Sequence, residues 1–236
     1  VKYGDNNAFG RTSGLTLASG TTVDLNGKTQ TGANAIGSLD MQGASSLIMN
    51  NGKLDINGAI AAASGSKINL GSKNGELSIE EGGAITGADA LRGHGTINLD
   101  GTLGSTLNVA GANAGLHAAI NINDQNAALL NSYLGLGDGD YSLAGELAFQ
   151  GASGSLANKV AFNDGDLTFD GATGSQTGAF TGADARITLS NNSNIDLKGT
   201  NLVSGNYQYD IEAGSTLTAH KSDNIGEAKI QMGGKL

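Results

Sequence analysis

The residues most able to do chemistry in this chain are carboxylates set among glycines. Asp138 and Asp140 sit in Gly135-Leu136-Gly137-Asp138-Gly139-Asp140-Tyr141, and Asp164 and Asp166 in Asn163-Asp164-Gly165-Asp166. Two carboxyl groups facing each other across a cleft could hydrolyse a glycosidic bond. One would protonate the leaving oxygen while the other attacks or activates water. Against this stands the turn chemistry of the same residues. Asp and Asn close tight turns, and glycine adopts positive φ at no steric cost. The expectation is that these four aspartates mark chain reversals.

The Asp138/Asp140 cluster also resembles one imperfect copy of a calcium roll repeat. Such a repeat needs tandem copies so that successive turns share ions, which leaves at most a weak calcium site there. Gly151-Ala152-Ser153-Gly154-Ser155 is similar to a serine-protease loop, but Ala152 stands where an acidic residue belongs. His94, His117 and His220 show no metal-ligand or triad spacing, and the expectation for each is a loop or surface position. Gly82-Gly83 is followed by no Lys-Ser/Thr and opens no helix, so it is not a phosphate loop. No catalytic, cofactor-binding or metal-ligating residue is assigned, and no enzyme activity is expected.

Composition narrows the rest. The 236 residues include 39 glycines and no proline, cysteine or tryptophan. Glycine this abundant can mean disorder, but hydrophobic residues make up 38% of the chain and recur at regular positions. Missing proline suits a backbone whose N–H groups are committed to a hydrogen-bond ladder. Missing cysteine excludes disulfides and thiolate metal sites. A net charge of −9 with only 13 Lys and Arg argues against nucleic acid and anionic membrane surfaces as partners. No apolar run is long enough to cross a bilayer, so no direct membrane insertion of this segment is expected. Both termini fall in mid-pattern, and the chain reads as a piece of a longer protein.

The elements that must position these residues are short strands. The motif Gly-x-Leu-x-apolar-x-Gly occurs as Gly52-Lys53-Leu54-Asp55-Ile56-Asn57-Gly58 and as Gly95-Thr96-Ile97-Asn98-Leu99-Asp100-Gly101. It returns as Gly145-Glu146-Leu147-Ala148-Phe149-Gln150-Gly151, as Gly165-Asp166-Leu167-Thr168-Phe169-Asp170-Gly171, and, without its closing glycine, as Gly75-Glu76-Leu77-Ser78-Ile79. The two apolar residues share one strand face. A lone strand cannot bury that face, whereas stacked strands can. Similar apolar-x-apolar pairs run from Leu15/Leu17 to Leu217/Ala219, separated by Gly, Ser, Asn, Asp and Thr. Aromatics are only 4%, too few for the thick core of a sandwich.

The pattern predicts an all-β fold, a right-handed parallel β-helix (β-solenoid) forming a single domain over 1–236. At ~20–25 residues per rung it would hold about ten rungs and extend roughly 45–55 Å. Ala59 to Ala63 is too short for a helix, and Ala127 to Leu134 is the best short-helix candidate. Strand pairs are sparsest from Asn113 to Asp140, which predicts an excursion from the rod there.

Three stretches are similar to known proteins. Asn7-Ala8-Phe9-Gly10-Arg11-Thr12-Ser13-Gly14-Leu15-Thr16-Leu17 with Gly20-Thr21-Thr22-Val23-Asp24-Leu25-Asn26-Gly27 resembles the passenger domains of Gram-negative type V autotransporters. So do Gln30-Thr31 to Ile36-Gly37-Ser38-Leu39, and Val203-Ser204-Gly205-Asn206-Tyr207 with Gly214-Ser215-Thr216-Leu217. The nearest type is the self-aggregation and diffuse-adherence adhesin group. The resemblance implies export through the outer membrane by a C-terminal barrel and display at the bacterial surface. It implies adhesion, aggregation or biofilm formation through an extended polar face. The expected partners are the same protein on neighbouring cells, or a host surface glycan or matrix protein. A passive spacer is the alternative role, and a polysaccharide-degrading enzyme a weaker one.

Overall fold

The computed structural model describes residues 1–101, 105–183, 185–198, 207–220, 227–230 and 233–236. The fold is a β-solenoid with parallel pairing throughout the described strands. No α-helix occurs among the described residues; the one helical turn is the 3₁₀ segment Gly32–Asn34. Val203 to Asn206, which belong to the last stretch of resemblance, lie outside the described residues.

Three strands make one turn, each on its own face. In the second turn these are Leu39–Met41, Ser46–Ile48 and Lys53–Ile56. Each pairs with the corresponding strand one turn later: Ile60–Ala62, Lys67–Asn69 and Gly75–Ile79. Eleven strands follow one another along the first face, from Leu15–Leu17 to Glu227–Ile230. Neighbouring strands stand ~4.8 Å apart, so this face is roughly 48 Å long. Register partners lie between 18 residues apart, at Leu129↔Leu147, and 24 apart, at Leu15↔Leu39.

Register turns the apolar pairs into columns. On the third face Leu54, Leu77, Ile97, Ile120, Tyr141, Val160 and Phe180 stack one per turn, and none is more than 2% exposed. Ile56, Ile79, Leu99, Ile122, Leu143 and Phe162 form a second column two residues on. Removing each such side chain from water contributes ~1.5–3 kcal/mol. The first face repeats the arrangement with Leu107, Leu129, Leu147, Leu167, Ile187 and Tyr209.

The corners bury polar groups that are hydrogen-bonded. Ser66 Oγ donates to Gly43 O at 2.8 Å, Ser193 Oγ to Phe169 O at 2.7 Å, and Asn158 Nδ2 to Gly139 O at 2.6 Å. These bonds satisfy carbonyls that leave the ladder where the chain turns. Gly82 and Gly83 are backbone necessities. Their φ values are +80° and +129°, and a Cβ would lie 2.3 Å from Thr106 O and 1.9 Å from Ile60 O respectively.

Two sequence expectations change. Ala128–Leu134 is a strand, not a helix. Leu129, Leu130, Tyr133 and Leu134 mimic helical spacing, yet Leu129 is in the core column while Leu130 and Tyr133 face outward. The Asn113–Asp140 stretch is no excursion: it contains Leu116–Ile122 and Ala128–Leu134, both paired on either side. The Gly-x-Leu motif also does not mark one position in the turn. Its copies at 52, 75 and 95 serve the third face, and those at 145 and 165 the first.

Candidate functional site

Parallel pairing at constant register fixes what the outside looks like. The residue between two core positions points outward, and its equivalents stack one per turn. On the third face that outward column is Asp55, Ser78, Asn98, Asn121 and Ser142. The middle of it is bonded along the rod. Asn98 Nδ2 donates to Ser78 Oγ at 3.3 Å, and Asn121 Nδ2 to Asn98 Oδ1 at 2.9 Å.

The flanking columns are charged or polar. Lys53 and Glu76 form an ion pair with partly exposed side chains. The hydrogen bond and charge of Glu76 raise the Lys53 pKa. Asn123 Nδ2 donates to Asp100 Oδ1 at 2.6 Å, and Asn163 Nδ2 to Ser142 Oγ at 2.8 Å. Glu80 is held above the usual carboxylate range, first by burial and then by the charges of Asp100 and Asp55. The face is therefore a flat polar sheet with an acidic edge.

The carboxylates singled out in the sequence do not converge on a cleft. Asp138 binds His117, with Oδ2 2.6 Å from Nδ1. Asp140 Oδ1 accepts the Lys159 N–H at 3.3 Å. Asp164 occupies a left-handed turn at φ 65°, as its Asp-Gly context predicts, and Asp166 opens the strand Asp166–Asp170. Ser153 lies within the strand Glu146–Leu156, with Ala152 in the core beside it. Among the described residues no three His, Cys, Asp or Glu side chains are grouped to hold a metal ion.

The histidines are more organised than their spacing shows. His94 and His117 are register partners, and their rings stack at 4.5 Å. His220 Nε2 lies 2.7 Å from Asp196 Oδ1. His94, His117 and Asp138 fall one turn apart in succession, so the signal was present, but only to a reader who knows the turn length.

A concavity opens on the second face among the described residues. A cleft of about 270 Å³ is lined by Tyr133, Asp138, Ser155, Asn113 and Asn158, with small residues between them. No local pattern in the chain marks it, because its walls come from three turns.

No family model matches the chain, and no solved structure matches it. It is similar to the protein "Uncharacterized lipoprotein YdeK" of Escherichia coli (strain K12), 26% identical over 229 residues. The match spans 97% of this chain and 13% of the relative's length. Among the described residues no helix is long and apolar enough to cross a membrane.

Proposed function

We propose that this chain is a segment of a larger cell-envelope protein, that it is displayed at the bacterial surface as a type V autotransporter passenger, and that it sticks by contact rather than by chemistry. The observation that carries the reading is the outward column Asp55, Ser78, Asn98, Asn121 and Ser142, repeated in register over five turns. A stripe of evenly spaced amides, hydroxyls and carboxylates on a rigid rod can pair with the same stripe on a second rod. Each bond is weak, but many in parallel gain through effective concentration. The relative's lipoprotein description supports an envelope location, and the small share of its length matched here supports a segment of a larger whole.

The test displays the parent protein on cells with and without residues 1–236 and measures settling and binding to matrix components. The expected result is slower settling after deletion, reproduced by Asn98→Ala with Asn121→Ala. Settling that ignores the double substitution would move the contact off this face. A spacer role is the second reading, favoured by one observation. The donors of Asn98 and Asn121 are spent along the rod itself, as a purely structural ladder requires. Deletion that changes neither settling nor binding would establish it.

A further inference from the structure

We infer that the cleft beside Tyr133 is a subsite for an uncharged sugar ring, whose apolar face stacks on the tyrosine while its hydroxyls bond Asp138 and Ser155. Three features of the molecule converge on this.

The first is the aromatic itself. Apart from Val1 and Leu236, Tyr133 is the one large hydrophobic side chain exposed among the described residues, at 38%. All other described tyrosines and phenylalanines lie in the core or pack against it. Its ring joins an apolar body to a polar hydroxyl, the combination that makes tyrosine frequent at contact surfaces.

The second is that the position is built. Asn131 occupies a core column between Val109 and Phe149 and is 1% exposed. A buried amide in an aliphatic stack is tolerated only when bonded, and both its polar atoms are used on Tyr133. Asn131 Nδ2 donates to Tyr133 O at 2.7 Å, and the Tyr133 N–H donates to Asn131 Oδ1 at 3.3 Å. The ladder register shifts at this point, so the bulge re-aims the Tyr133 side chain. Gly154 one turn later, at φ +121°, leaves room for the ring. A Cβ there would stand 3.1 Å from Tyr133 Cζ and 3.2 Å from its hydroxyl oxygen.

The third is the chemistry of the walls. Asp138 has a side chain 66% exposed and oriented by His117, and Ser155 lines the cleft with a hydroxyl that also lies 3.2 Å from Ser175 Oγ and 3.4 Å from Thr177 Oγ1. Asn113 and Asn158 spend their amides on the backbone and shape the cleft rather than offering bonds. An aromatic platform with a carboxylate and a hydroxyl beside it matches a pyranose, which has an apolar C–H face and a rim of hydroxyls. The volume falls below the ~300 Å³ at which drug-sized pockets begin, which suits one ring and not a peptide side-on. The carboxylate and the net charge of −9 select against acidic sugars. This site lies on the second face, apart from the polar stripe, so it neither requires nor excludes self-association.

The test titrates the purified chain with methyl glycosides of glucose, galactose, mannose and N-acetylglucosamine, and with N-acetylneuraminic acid, by saturation-transfer NMR and tyrosine fluorescence. The expected result is a Kd of ~1–10 mM for at least one neutral glycoside. Tyr133→Ala should weaken it more than about tenfold, Tyr133→Phe less than about threefold, and Asp138→Asn severalfold. Unchanged circular dichroism of Tyr133→Ala will show that the rod remains folded. Equal binding by Tyr133→Ala overturns the proposal, as does silence from every neutral glycoside at 50 mM or preference for the acidic sugar. Loss of self-association in Tyr133→Ala without any sugar binding would make the cleft a protein contact instead.

Discussion

The two halves of the rod fill the same cross-section by different means. From Leu39 to Leu129 the core columns are aliphatic, and partners on the first face as far as Leu129 are 21 to 24 residues apart. From Leu147 onward they are 18 to 22 apart, and rings enter the core. Phe149 stacks on Phe169 at 5.7 Å, and Phe162, Phe180 and Tyr207 meet at 5.5 to 6.2 Å. A shorter turn encloses less side-chain mass unless each residue is larger. The aliphatic half also holds a small void. Leu77, Ile79, Ile97, Leu107, Ile120 and Leu129 line a cavity of about 10 Å³, apolar and therefore dry. Turn length and residue size are thus traded against each other along one continuous core.

The largest test of this contrast removes a ring. Phe169→Ala should cost ~3–5 kcal/mol by urea unfolding, and Leu77→Ala a smaller amount within ~2–5 kcal/mol, because a leucine leaves less volume empty. Each turn contacts only its neighbours, so hydrogen exchange should quicken around the substituted turn and not across the rod. Exchange that quickens everywhere would make the halves one cooperative unit.

Next comes Gly83→Ala in the aliphatic half. Strained φ alone costs ~1–3 kcal/mol, and the clash with Ile60 O adds to it. A neutral thermal midpoint would show that the longer turns there yield freely. Asn121→Ala should cost only ~0.5–1 kcal/mol, since a surface hydrogen bond contributes little. A larger loss would mean that the outer ladder, not the core, holds that half together.

The smallest effect is electrostatic. Burial and the charges of Asp100 and Asp55 raise the Glu80 pKa in the folded state, so folding disfavours its charged form. The penalty is present above the folded pKa and absent below the ordinary glutamate range. Glu80→Gln should raise the midpoint at pH 7 by about 1 °C, after solvent screening, and leave it unchanged at pH 3.

Much of this was readable one strand at a time. Apolar alternation located Leu54/Ile56, Leu77/Ile79 and Leu167/Phe169 as core, and zero proline agreed with a full ladder. What the chain concealed was register. A parallel solenoid places spatial neighbours one turn away, and the turn varies between 18 and 24 residues. His94, His117 and Asp138 therefore looked scattered, and one motif served two faces unnoticed. Asn131 was hidden for another reason: nothing in the alternation marks a polar residue as part of a core column until its bonds to the Tyr133 backbone are seen. Leu130 next to Leu129 made the same strand look helical.

The ladder bonds of the fold have a mechanical consequence. They run along the rod, from each turn to the next, so a pull on the two ends loads them in tension one turn at a time. Each turn that lets go gives up a spacing of ~4.8 Å and releases about 20 residues, roughly 70 Å of extended chain. Under load such a rod lengthens by yielding in sequence, and what is fixed to its far end is cushioned instead of torn away.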